Sequence, residues 1–190
     1  MAGRASLTLA EGMAGMMEGV FINVKNRSKT ITAEVDVPQG AANGTIIAQG
    51  GRFGGWSLYV KDGVPAYGYN FLGMQQTSIV ASKPLAPGKA TVKFDFAYDG
   101  GGPGKGGTGT LFMNGEKVGE GRIKTQPGGF MIAGEGLAVG RDVGDPVTDD
   151  YPGVRPYAFT GGTIRRVAVD VSGEPYVDLE REAAGMLMRE

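Results

Sequence analysis

Two runs joined by Asp62-Gly63 constrain this chain more than any other feature. Trp56, Leu58 and Val60 alternate with Ser57, Tyr59 and Lys61, the period of a strand with one buried face. Val64 to Phe71 supplies a second run rich in aromatic residues. A type I′ turn needs positive φ at both central positions, so Asp-Gly between two such runs predicts a two-residue hairpin. Just upstream, Gly50-Gly51 and Gly54-Gly55 bracket Arg52-Phe53 and predict a sharp turn before Trp56. Trp56 is the sole tryptophan and is expected to anchor a core.

Similar alternation recurs along the chain. Ser6–Leu9 is a short strand candidate, and the methionine- and glycine-rich Glu11–Phe21 reads as an irregular segment over a sheet edge. Lys29–Val37 places Ile31, Ala33, Val35 and Val37 on one face. Lys89–Asp99 does the same with Val92, Phe94, Phe96 and Tyr98. Gln75–Val80, Gly109–Met113, Glu116–Glu120, Phe130–Ala133 and Leu137–Gly140 are shorter candidates, with Asn114-Gly115 as a second two-residue turn. In Thr163–Val171 the alternation slips at Arg165-Arg166, which a β-bulge would reconcile. Val177–Glu190 changes period and predicts a short C-terminal helix bearing Leu179, Ala183, Met186 and Leu187 on one face. About ten short strands and one terminal helix argue an all-β antiparallel sandwich, jelly-roll-like in arrangement. The expected organisation is one domain: residues 1–28 packed on a sandwich of 29–171, then the helix of 177–190.

Glycine supplies 35 of 190 residues without a fixed period, so it marks turns and bulges. Net charge is −1, which asks for neither nucleic acid nor an anionic membrane, and no window approaches the ~20 apolar residues of a membrane span. The absent cysteine excludes disulfides and thiolate chemistry, and the absent histidine removes the commonest general base and zinc ligand. Met1-Ala2-Gly3 shows no secretory pattern, and the compartment is not legible. Gly102–Thr108 satisfies Gly-x-Gly-x-x-Gly, but a strand follows where a phosphate cradle needs a helix. It is expected to be a hairpin loop.

GGRFGGWSLYVKDGVPAYGYNFLG (residues 50–73), KFDFAYDGGGPGKGGTGTLFMNGEKVGEGRI (93–123) and VGRDVGDPVTDDY (139–151) resemble the C-terminal region of bacterial-type arylsulfatases. The resemblance extends over Leu7 to Glu190. It implies a concanavalin-like or laminin-G-like sandwich that follows a sulfatase catalytic domain, the partner in cis, with homo-oligomer assembly as a further role. The formylglycine nucleophile and divalent cation would belong to that other domain. Ser82-Lys83-Pro84-Leu85-Ala86 lacks the arginine of the family's Cys/Ser-x-Pro-x-Arg motif, so no catalytic residue and no bound cofactor is expected here.

Two sets of residues could carry binding. Asp142, Asp145, Asp149 and Asp150 could offer carboxylates to calcium, or could accept backbone N–H groups in turns around Pro146 and Pro152. On the central hairpins Arg52, Phe53, Trp56, Tyr59, Tyr67, Tyr69 and Asn70 form an aromatic-polar set; Trp56, Tyr67 and Tyr69 read as core, and Arg52, Tyr59 and Asn70 are the candidates to face a ligand. The expected function is a non-catalytic accessory domain. The alternative is a carbohydrate-binding module on a lectin-like sandwich.

Overall fold

The computed structural model describes residues 4–39, 41–129 and 136–173. Among the described residues eleven strands form two antiparallel sheets. They are β1 (Ser6–Leu9), β2 (Ser28–Val37), β3 (Gly44–Gly51), β4 (Gly54–Lys61), β5 (Val64–Phe71), β6 (Gln75–Val80), β7 (Gly88–Tyr98), β8 (Gly107–Met113), β9 (Glu116–Ile123), β10 (Ala138–Val139) and β11 (Thr163–Ser172). The six-stranded sheet runs β1-β11-β2-β7-β8-β9 and the five-stranded sheet β10-β3-β4-β5-β6. The expected helix of 177–190 and strand of Phe130–Ala133 lie outside the described residues.

Local chemistry explains the connections. Asp62 and Gly63 both adopt positive φ (51° and 77°), as do Asn114 and Gly115 (48° and 84°), so each pair makes the primed turn its flanking strands require. The register between β11 and β2 shifts between Ile164 and Arg166, the bulge anticipated at the arginines. That shift lets Ile164, Val167, Val169 and Val171 all be buried. Gly12 to Met16 exchanges backbone hydrogen bonds with Leu137 and Val139, so the irregular N-terminal segment covers the β10 edge of the five-stranded sheet.

The inner faces of the two sheets meet in one core. Tyr67 of β5 stacks on Phe94 of β7 with ring centroids 3.5 Å apart, and Trp56 lies 6.4 Å from Tyr67 in near-parallel orientation. Trp56 is fully buried, and its indole N–H donates to Gln49 Oε1 at 2.9 Å. A buried tryptophan of this kind needs such an acceptor.

The sequence pattern understates the burial of β3, β4 and β5. Alternation predicts one buried face for β4, yet Ser57 and Tyr59 on its other face are fully covered too. The cover is the segment from Arg141 to Phe159. It places Val147, Tyr151 and Tyr157 on Ala48, Tyr59 and Ala66 as a second apolar cluster outside the sandwich. Tyr59 and Tyr151 meet edge to face at 5.2 Å, and Tyr151 and Tyr157 at 5.0 Å.

Candidate functional site

One end of the five-stranded sheet carries two tight tips. Gly51 pairs with Gly54, leaving Arg52-Phe53 as a two-residue connection between β3 and β4. A Cβ on Gly50 would strike the Gly54 carbonyl, so only glycine allows the strands to approach this closely there. Leu72 to Met74 connects β5 to β6, and a Cβ on Gly73 would lie 3.4 Å from the Phe53 ring. The two tips therefore touch.

Asn70 ties them together. Its buried side-chain amide donates to the Arg52 carbonyl and the Val147 carbonyl, each at 3.0 Å, while its Oδ1 accepts the Gly73 N–H at 2.8 Å. Asn70 thus holds both tips and the covering loop with one planar group.

Outside this linchpin lies a solvent-facing set. Arg52 Nη2 donates to Asp149 Oδ1 at 3.1 Å, and Gln76 Nε2 donates to Asp149 Oδ2 at 3.2 Å. Gln76 Oε1 in turn accepts the Thr148 hydroxyl at 3.2 Å and the Asp149 N–H at 3.3 Å. Beside this network Phe53 is 50% exposed and Met74 is 72% exposed. An aromatic face next to a guanidinium, a carboxylate and an amide offers both stacking and paired hydrogen bonds to a polar, ring-shaped ligand.

Of the three residues expected to face a ligand, only Arg52 is exposed to solvent. Tyr59 and Asn70 are buried because the Arg141–Phe159 segment packs over the outer side of β4 and β5. The Tyr59 hydroxyl donates to Asp150 Oδ2 at 2.7 Å; burial first, then this hydrogen bond, pushes its phenol up. Phe53 belongs to the aromatic-polar set legible in the sequence, whereas Met74 and Gln76 lie outside it. A glycine-bracketed aromatic at a tip was the available signal for Phe53, whereas Gln76 depends on a contact 73 residues away.

The four aspartates are dispersed rather than convergent. Asp149 belongs to the Arg52–Gln76 network, Asp150 pairs with Lys61 and Tyr59, and Asp145 pairs with Arg155. Asp142 is buried and accepts the Val147 N–H at 3.2 Å, the turn-capping role. Burial pushes the Asp150 carboxyl up, but the hydrogen bonds from Lys61 and Tyr59 and the Lys61 charge outweigh that and hold it below its ordinary range. The Tyr151 phenol is raised well above its usual value, by burial and then by the charge of Asp142. Among the described residues no group of three acidic side chains is gathered so as to hold a metal ion.

No protein-family model and no curated protein sequence matches the chain. Solved structures do match in shape. The carbohydrate-binding module CBM40 of the Ruminococcus gnavus IT-sialidase, bound to α2,6-sialyllactose, superposes with a TM-score of 0.54 at 17% identity. That match covers 90% of this chain and 93% of the module. NanB in complex with Optactamide gives 0.52 at 13% identity, covering 94% of this chain but 27% of the larger protein. Domains LG4-5 of the mouse laminin α1 chain give 0.50 at 13% identity, covering 90% of this chain and 40% of that one. At these identities the likeness concerns the fold alone: the chain is an all-β, two-sheet antiparallel sandwich of concanavalin-like fold.

Proposed function

We propose that the protein is a non-catalytic, lectin-type module whose Arg52–Phe53 tip contacts carbohydrate. The observation that carries this reading is the exposed Phe53 ring set beside the Arg52–Asp149–Gln76 network on tips locked by Asn70. A pyranose has an apolar C–H face that suits an aromatic ring, and vicinal hydroxyls that suit carboxylate, amide and guanidinium groups. The fold it shares with a sialidase-attached module seen with α2,6-sialyllactose supports the same class of role.

A glycan array that includes α2,6-sialyllactose, followed by calorimetry on any hit, tests the proposal. Binding should fall at least about tenfold in Phe53→Ala and in Gln76→Ala, since each removes a contact worth about 1.4 kcal/mol or more. Melting should be unchanged in Phe53→Ala, whose side chain is half exposed, and slightly lowered in Gln76→Ala, which also loses its hydrogen bonds to Thr148 and Asp149. An array without hits overturns the reading.

The second reading is the non-catalytic C-terminal domain of an arylsulfatase-type hydrolase, supporting a catalytic domain in cis or an oligomer. One observation favours it. Two of the stretches that carry the arylsulfatase resemblance, 50–73 and 139–151, are those that pack together here, so the face where a sandwich could have held an open groove is filled by its own loop. In this reading the tip docks against the catalytic domain. Phe53→Asp would then weaken association with that domain while leaving the isolated chain folded. In either reading the chain alone has no turnover on a chromogenic aryl sulfate; activity that tracks the protein through purification would contradict both.

A further inference from the structure

Lys29 does not use its side chain as a surface lysine does. It occupies an inward position of β2, in the same alternation as Ile31, Ala33, Val35 and Val37, and it is only 6% exposed. Its row across the six-stranded sheet is Val171, Lys29 and Phe96, which meets the row of Gln49, Trp56 and Tyr69 in the other sheet. The amine lies 5.0 Å from the centroid of the Trp56 ring and 5.8 Å from that of Phe96.

This end of the sandwich is roofed by two segments. Phe21, Ile22 and Val24 are buried in the core, and Asn26 reaches across to donate to the Pro127 carbonyl at 3.0 Å and accept the Gly104 N–H at 3.0 Å. Gln126 donates its backbone N–H to the Tyr69 hydroxyl at 2.9 Å. Beneath this cover Gln49 Nε2 and Gln126 Oε1 are buried without a partner. The cover is therefore polar and imperfectly satisfied, and through Gln126 it bonds to Tyr69, the cross-strand neighbour of the Trp56 over which the amine lies.

The charged and titratable groups on the packed elements do not neutralise that amine. Tyr69 faces the same interior, and Tyr98 on β7 bonds to the Gly102 carbonyl. Glu18, just ahead of the cover, is paired with Lys25, and Asp95 and Asp170 belong to the water side of the same sheet. Among the described residues none of these forms a hydrogen bond or ion pair with Lys29. An aromatic face attracts an ammonium but cannot replace its water shell. Burial accordingly lowers the Lys29 amine to about 7.

We propose that Lys29 is a proton-sensitive latch: the cover formed by residues 21–27 and 124–128 closes on a neutral amine and loosens when the amine takes a proton. Opening gives the ammonium access to water, so the open form holds its proton at higher pH than the closed form. The opening equilibrium of the cover should therefore rise about tenfold for each pH unit between about 9 and 7, and flatten below. The latch reaches the strands that carry the Arg52–Phe53 tip, since Gln49 and Trp56 each stand three residues from it along β3 and β4. It is independent of what the tip binds.

Trp56 is the only tryptophan and touches the amine, so the intact chain carries its own reporter. Its emission should titrate with a midpoint near 7 while far-ultraviolet circular dichroism stays constant. Amide exchange in 21–27 and 124–128, corrected for intrinsic rates, should show the tenfold-per-unit dependence, and strands β2 and β7 should not. Lys29→Met should abolish both effects. A flat Trp56 titration in the wild type, or an unchanged midpoint in Lys29→Met, overturns the proposal. If that variant does not fold, nitrogen NMR of the Lys29 side chain in the wild type decides it: an amine still charged at pH 9 rules the latch out, and one that deprotonates near 7 supports it.

Discussion

The two outer faces of the sandwich start from the same backbone geometry and end differently. On the six-stranded sheet the outward positions are Thr30, Thr32, Glu34 and Asp36 on β2, and Thr91, Lys93 and Asp95 on β7. They form cross-strand and local ion pairs, Arg166 with Glu34, Arg165 with Asp36 and Lys93 with Asp95, and remain in water. At the centre of the five-stranded sheet the outward positions Ala48, Ser57, Tyr59, Ala66, Gly68 and Asn70 carry no charge and are buried; the charge of Lys61 stands only at the exposed end of β4. A charged face needs no cover and would resist one, because desolvating it costs more than contact returns. A face of small residues and tyrosine leaves apolar area unburied until a loop fills it. The lesson is that the second apolar layer is a property of the outward residues of β3 to β5, and Arg141–Phe159 is the segment that answers it.

The largest effect tests where charge is tolerated. The outer face of β2 keeps its charges in water, whereas Lys29 faces inward. Its amine is lowered to about 7 when folded and is ordinary, about 10.5, when unfolded. Between those values the unfolded chain holds more protons, so stability rises with pH by up to about 1.4 kcal/mol per unit; below about 7 both forms are charged and the dependence vanishes. Lys29→Met should therefore stabilise the protein at pH 7 by a few kcal/mol, at most about 5, and by progressively less toward pH 9.5. Above pH 10 the sign reverses for both proteins. The buried phenols of Tyr59, Tyr67, Tyr69 and Tyr151 are all raised, so the unfolded chain loses protons first. Urea melts of the two proteins across pH 6.5–9.5 measure this; parallel curves would show that the amine is solvated after all.

Next in size is the covering loop. Tyr151→Ala removes the ring that packs on Tyr59 and should cost about 3–4 kcal/mol, the range of a large core truncation. A cost below about 1 kcal/mol, typical of a surface change, would make the loop a loose flap and collapse the distinction between the two faces. Asn70→Ala should cost about 1–3 kcal/mol, because it leaves the buried Arg52 and Val147 carbonyls without their donor. It should also weaken any ligand bound at the tip, although Asn70 itself is buried.

The smallest effects belong to the exposed pairs. Asp150 ties the loop to Lys61 and Tyr59, and its carboxyl is held below the ordinary range. What it contributes is present above the unfolded carboxyl pKa and is lost as pH falls through the folded one. Asp150→Asn should thus lower the melting temperature slightly at pH 7 and not at all near pH 2. Arg166→Ala on the bare face should leave the melting temperature unchanged at 0.15 M salt, since Arg166 and Glu34 pair in full contact with water. A clear loss there would mean that something covers this face in the native protein.

The residues by themselves determined the strands and their turns. Alternation marked β2 and β7, Asp62-Gly63 and Asn114-Gly115 demanded primed turns, the slip at Arg165-Arg166 demanded a bulge, and the lone tryptophan belonged inside. These features are local, because a strand's period and a turn's φ depend on neighbours a few residues away. The candidate site was legible only in part. Arg52 and Phe53 stand between paired glycines, but whether Tyr59 and Asn70 meet water or a loop depends on residues some 77 to 92 positions further along. A still longer separation, 97 residues, lies between Arg52 and Asp149, and the four neighbouring aspartates scatter to different partners instead of converging. Lys29 shows the limit most plainly. Its inward register follows from the pattern of β2, but that it ends over Trp56 without a counter-charge among the described residues was decided by the packing of the second sheet. Periodicity specifies which way a side chain points; only the tertiary structure specifies what it meets.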